Sequence, residues 1–203
     1  MKRFIGLLVI TGFALTASSA SAQEPGGSAG RAEVSAFPGG GILFTDSNSG
    51  PDFGNYALGG SFTYNFNRFV GVEGEGGGTF GIDQKLDLRS GTRSAKPPNT
   101  LEYNGNAIVY PAGNNRAFVP YATGGVGGLT LFERSELDVN DGTTFLTGNV
   151  GGGAKYYLSD RWGVRGDYRF FAVRSQDDAP AFFGRETRYG HRVYGGIVLN
   201  VLR

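Results

Sequence analysis

Apolar and polar side chains alternate one for one through six stretches of this chain. Such alternation predicts β-strands, whose successive side chains point to opposite faces. The clearest stretch runs from Trp162 to Ala172. Trp162, Val164, Gly166, Tyr168, Phe170 and Ala172 fall on one face, and Gly163, Arg165, Asp167, Arg169 and Phe171 on the other. From Tyr189 to Val201, Val193, Gly195, Ile197, Leu199 and Val201 oppose Arg192, Tyr194, Gly196, Val198 and Asn200. Leu58, Gly60, Phe62, Tyr64 and Phe66 alternate with Ala57, Gly59, Ser61, Thr63 and Asn65. Val70, Val72, Gly74 and Gly76 alternate with Gly71, Glu73 and Glu75. Leu101, Tyr103, Gly105, Ala107 and Val109 alternate with Glu102, Asn104, Asn106, Ile108 and Tyr110. The even positions from Leu146 to Leu158 alternate with the odd positions from Thr147 to Tyr157. Two further strands have less regular faces. In 33–44, Pro38 and Gly39-Gly40-Gly41 predict a bend or bulge. In 117–132, Gly124, Gly125, Gly127 and Gly128 leave the faces unassigned.

The connections sort by length. Asn67-Arg68, Pro111 to Arg116 and Ser159-Asp160 are hairpin turns rich in turn-forming residues. The other four, about 45–55, 81–98, 133–143 and 175–187, are long and polar. Short and long connections alternate strictly, so all long loops emerge at one end. The expected fold is all-β: an eight-stranded antiparallel up-and-down transmembrane β-barrel.

Charge decides which way the faces point. Glu73, Glu75, Glu102, Lys155, Arg165, Asp167, Arg169 and Arg192 share the polar face, and the opposite face of the six readable strands carries no charge. A soluble, lipocalin-like barrel would point its charges outward and bind a ligand in an apolar interior. Here four acids match four bases, so the charges can pair inside a narrow barrel, where an unpaired ion would cost several kcal/mol. The uncharged face then suits hydrocarbon, in which Arg or Lys at the midplane costs about 2–4 kcal/mol. Closure into a barrel leaves no unpaired backbone group in lipid. Phe66 and Phe69 flank one short turn, and Tyr156 and Trp162 another, as interfacial aromatics do. A β-sandwich core is the alternative place for these rings.

The N-terminus reads as an address. Lys2 and Arg3 precede an apolar run from Phe4 to Leu15, and Ala20-Ser21-Ala22 has the form of a cleavage site. At about twelve apolar residues the run is too short for a bilayer-spanning helix of ~20. The expected organisation is a cleaved signal peptide at 1–22, a flexible leader at 23–30 and a barrel domain at 31–203.

Composition narrows the chemistry. The 203 residues include 36 Gly, one Trp, one His and no Cys. Disulfides, thiolate metal sites and cysteine nucleophiles are excluded, and no metal or cofactor is expected. Removing Lys2 and Arg3 from the 19 basic residues leaves 17 against 18 acidic ones, so there is no basic excess to hold nucleic acid. Gly151-Gly152-Gly153 lacks the Lys, the Ser/Thr and the following helix of a phosphate loop.

These residues resemble the OmpA-like eight-stranded outer-membrane β-barrel family. Val119-Pro120-Tyr121-Ala122-Thr123-Gly124-Gly125-Val126-Gly127 looks like its fifth strand. The segment from Gly151 through Tyr157-Leu158-Ser159-Asp160-Arg161-Trp162 to Arg169 looks like its most specific hairpin, and His191 to Val198 like its closing strand. The likeness covers about 31–201. It implies residence in the outer membrane, with long loops extracellular and short turns periplasmic. It also implies contact with outer-membrane lipid, and with the barrel-assembly machinery and periplasmic chaperones during biogenesis. The family's barrels usually finish in an aromatic residue, whereas this chain ends Val201-Leu202-Arg203.

The expected function is therefore non-enzymatic: a structural or surface-interaction barrel with its interior plugged by paired charges. Phe182 and Phe183, an apolar pair in the last long loop, are candidate loop contacts. A small or gated ion or solute channel is the alternative. A lipid-modifying enzyme needs a Ser-His-acid arrangement, and no Ser lies near His191, the only His, along its strand.

Overall fold

In the computed structural model, residues 27–45, 51–88, 91–139, 141–177, 179–184 and 186–202 are described. The expected signal peptide and the first part of the leader lie outside them. Among the described residues there are ten strands: β1 (Ala32–Phe44), β2 (Phe53–Asn65), β3 (Val70–Gly81), β4 (Gln84–Leu88), β5 (Gly91–Ala95), β6 (Thr100–Val109), β7 (Phe118–Leu131), β8 (Thr143–Tyr157), β9 (Trp162–Val173) and β10 (Arg188–Leu202). Eight of them close into one antiparallel barrel in the order β1-β10-β9-β8-β7-β6-β3-β2, with β1 paired to both β2 and β10. β4 and β5 form a separate hairpin inside the loop between β3 and β6. That hairpin is absent from the sequence reading, which treats 81–98 as a plain loop. Ser135–Leu137 forms one 3-10 turn in the loop between β7 and β8.

The alternating faces become inside and outside. Val126, Val150 and Val193, near mid-height, are 66%, 60% and 56% exposed, while Arg169 and Lys155 are fully buried. Among the described residues, no Asp, Glu, Lys or Arg lies on the outer face of a barrel strand. The expected bulge in β1 is present. The register of β1 shifts against β10 between Ala36 and Gly39, and against β2 between Phe37 and Gly40. The extra residue reverses the faces: Glu33, Ser35 and Phe37 are buried below it, Ile42 and Phe44 above it.

Inward glycines let the strands come close. An added Cβ at Gly127 would lie 2.0 Å from the Tyr103 carbonyl oxygen, and one at Gly151 2.0 Å from that of Tyr168. No real side chain tolerates such contacts.

Side chains tie the short-turn end. Asn67 Oδ1 accepts from the backbone N–H of Phe69 (2.8 Å) and Val70 (3.1 Å). Ser159 Oγ accepts from those of Arg161 (3.2 Å) and Trp162 (3.3 Å). These are the local bonds that make Asn and Ser good turn residues. Residues 28–30 of the leader are held rather than free. Asn200 accepts from the Gly30 N–H at 2.8 Å and donates to the Ser28 carbonyl at 2.8 Å, and the Ala29 N–H donates to the Asn114 carbonyl at 3.1 Å. An Asn near the end of β10 thus recruits the approach to β1 into the barrel seam.

Candidate functional site in the barrel lumen

Strand order brings the interior charges together across the lumen. In the ring of eight, β3 and β9 are four strands apart, as are β6 and β10. Glu73 and Glu75 on β3 therefore face Arg165 and Arg169 on β9, and Glu102 on β6 faces Arg192 on β10. The pairs join residues about 90 or more positions apart in sequence.

Arg165 is the hub. Its two Nη atoms donate to Glu73 at 2.5 and 3.3 Å, Nη2 also meets Asp167 at 2.9 Å, and Nε donates to the Tyr121 hydroxyl at 2.8 Å. Its plane lies over the rings of Phe37 and Tyr121 at 5.1 and 5.0 Å. Arg169 continues the network to Asp167 (2.7 Å), Glu73 (2.9 Å), Glu75 (3.2 Å) and the Asn149 side-chain oxygen (3.1 Å). Arg192 bridges Glu75 and Glu102 and lies 4.4 Å from the Tyr194 ring centroid. Planar guanidinium groups, with five donors each, suit such shared bonding.

All eight residues singled out from sequence lie in the lumen, and seven of them form this continuous network. Lys155 is the exception. It pairs with Glu33 at 2.5 Å, nearer the turn end. Tyr157 also donates to Glu33, and Tyr110 donates to Asn65 at 2.8 Å. Sequence reasoning did not find Glu33, because the bulge in β1 broke the alternation that would have placed it inside. Tyr121, whose hydroxyl donates to Asp167 at 2.5 Å, was missed because the glycines of β7 leave its two faces unreadable.

The loop end closes differently. Phe44, Phe53, Phe145, Phe171, Phe182 and Phe183 cluster with Leu86 of the β4–β5 hairpin and with Leu137 and Val139 of the next loop. Phe182 and Phe183 are 4% and 1% exposed, which corrects their placement at an open loop tip. The loop folds inward because the upper lumen offers rings to pack against: Phe183 lies 4.7 Å from Phe145, and Phe182 lies 5.2 Å from Phe53. Arg188, also missed, fixes this fold. Its guanidinium lies over Phe53 and Phe183 at 5.0 and 5.2 Å and donates to the carbonyls of Phe183 (3.0 Å) and Pro51.

Between network and cluster is a cavity of about 10 Å³, lined by Glu102, Asn104, Thr147, Asn149, Arg169 and Arg192. That is room for one water molecule. On the outer wall, His191 Nδ1 lies 2.7 Å from the Tyr168 hydroxyl, and its ring packs 5.4 Å from Phe170.

Solved structures with similar architecture were found. The chain shares 10% identity with Neisserial surface protein A, at a TM-score of 0.57, covering 83% of this chain and 96% of that one. It shares 17% identity with the outer membrane protein OprG of Pseudomonas aeruginosa, at a TM-score of 0.54, covering 89% and 100%. At these identities the likeness establishes the fold. No curated protein matches the sequence. The sequence itself matches the outer membrane protein beta-barrel domain over residues 5–185. With a closed eight-stranded barrel, an uncharged outer wall and a match over most of its length, this chain belongs to the outer membrane protein beta-barrel domain family, as a barrel of the OmpA-like type located in the outer membrane.

Proposed function

We propose that the protein is a sealed, non-enzymatic barrel that anchors a folded loop platform at the cell surface, its long loops extracellular and its short turns periplasmic. One observation carries this reading: the lumen is blocked at two levels, by ion pairs joining opposite walls and by an aromatic cluster under the loops. Loops packed on a rigid scaffold are where recognition usually resides. In sequence the second and third loops hold Asp83, Asp87, Glu133, Glu136, Asp138 and Asp141 against Lys85, Arg89, Arg93, Lys96 and Arg134, so they are acidic by one charge. Delivery by periplasmic chaperones and insertion by the barrel-assembly machinery complete the reading.

The competing reading is a channel. In planar bilayers the folded protein should show no steady conductance, and a persistent open level would replace the sealed barrel with a pore. A lipid-modifying role finds little support, because His191 faces outward beside Tyr168 rather than beside a nucleophile.

A further inference from the structure

We infer that the short-turn rim is a binding ring for the phosphate headgroups of anionic phospholipids, built from Arg31, Arg68, Arg116 and Arg161. Three of these arginines sit in the turns β2–β3, β6–β7 and β8–β9, and Arg31 sits at the β10–β1 seam. Among the described residues, each of the four junctions at this end holds one arginine. The four are exposed and evenly spaced around the ring, and Asp160 is the one acid beside them among the described residues. The near-neutral charge of the whole chain hides this concentration.

Their neighbours indicate a lipid surface rather than a periplasmic protein. Two of the arginines, Arg31 and Arg68, lie against aromatic side chains at the foot of the wall. Arg31 Nε donates to the Tyr64 hydroxyl at 2.9 Å, with its guanidinium 5.5 Å from that ring centroid. Arg68 lies 4.6 Å from the Phe69 ring centroid. Arg116 and Arg161 are close in sequence to Phe118 and Trp162, which are 47% and 43% exposed. Guanidinium groups laid against lipid-facing rings stay along the wall, at the depth where phosphates lie, instead of projecting below the rim. Their remaining Nη donors match phosphate oxygens bidentately. Among the described residues, no charge faces lipid higher on the wall.

The ring goes beyond the sealed-platform reading. It rests on that reading only for assigning this end to the periplasmic leaflet. The experiment does not depend on that assignment. Trp162 is the only tryptophan and stands beside Arg161, so it reports on the lipids at the rim. The folded protein is placed in phosphatidylcholine vesicles containing equal mole fractions of brominated phosphatidylglycerol or brominated phosphatidylcholine. Brominated phosphatidylglycerol should quench Trp162 more strongly, with a relative association constant of about fivefold, the scale of one arginine near an anionic surface. High salt and the variant R31Q/R68Q/R116Q/R161Q should bring the ratio towards one, while the corresponding Lys variant retains part of it. If the fourfold variant loses its heat-modifiable folded band, R116Q/R161Q reads the same ratio with a smaller change. Equal quenching by both lipids in the unaltered protein, or a preference that survives the Gln variants, overturns the ring. Absence of quenching by either lipid would count instead against residence in the bilayer.

Discussion

The lumen is closed once by charge and once by grease, and the two closures hold different parts of the molecule. The central network joins strands on opposite walls: Glu73 to Arg165 and Arg169, Glu102 to Arg192. The upper cluster joins loops to strands: Phe182, Phe183 and Leu86 to Phe44, Phe53 and Phe145. Losing one member of the first strands an ion in a low-dielectric interior. Losing one member of the second leaves a hole that the loops can partly collapse into. The first closure governs whether the barrel is stable, and the second whether its loops share one arrangement.

The largest effect should come from Arg165→Ala. It leaves Glu73 with Arg169 as its one ion-pair partner beside the Thr63 hydroxyl and should lower unfolding free energy by about 3–5 kcal/mol. Urea titration in lipid vesicles, followed by the heat-modifiability shift, measures this, and an unchanged midpoint would mean that β9 does not point Arg165 inward. Phe183→Ala should cost about 3 kcal/mol, concentrated in the loops. Faster proteolytic cleavage there, with the barrel core still protected, separates it from Arg165→Ala; equal destabilisation of the core would merge the two closures into one unit. Asn200→Ala should cost about 1 kcal/mol, seen as faster hydrogen exchange at the Gly30 amide with loops and lumen unaffected. His191→Ala should change stability by less than about 0.5 kcal/mol and leave lipid A mass spectra as they are. A modification that disappears with this variant would make the outer wall a catalytic surface.

The two closures were also unequally legible in the sequence. Arg165, Asp167 and Arg169 announced their face because charge and alternation coincide in β9, and lipid tolerates no charge on the other side. The same rule reads Glu73, Glu75, Glu102, Lys155 and Arg192. It loses Glu33, because the bulge at residues 38–40 inserts one residue and the period restarts. The aromatic cluster is periodic only in part: Phe171 shares the face of Arg165 and Arg169, but Phe182 and Phe183 lie in a loop. Phe182 and Phe183 look exposed in a polar loop, and only tertiary packing against Phe145 and Phe53 turns them inward. The β4–β5 hairpin escaped notice for a related reason: at five residues each, its strands are too short for alternation to stand out, and Leu86 and Leu88 are the two apolar positions of β4. Arg188, at the first position of β10, falls between the loop read to residue 187 and the strand read from Tyr189.

The bulge in β1 also means that this strand is policed from one end only. Delete one residue among Pro38, Gly39 and Gly40, and the upper half could slide so that Leu43 turned inward and Phe44 outward. Oil would meet oil on both sides of the wall, so no charge would oppose the slip, only the lost packing of Phe44 on Phe53, Phe171 and Phe183. A slip in the lower half would instead drive Glu33 out into hydrocarbon and orphan Lys155. Charge thus fixes the threading of the seam strand only near its beginning, through its single carboxylate.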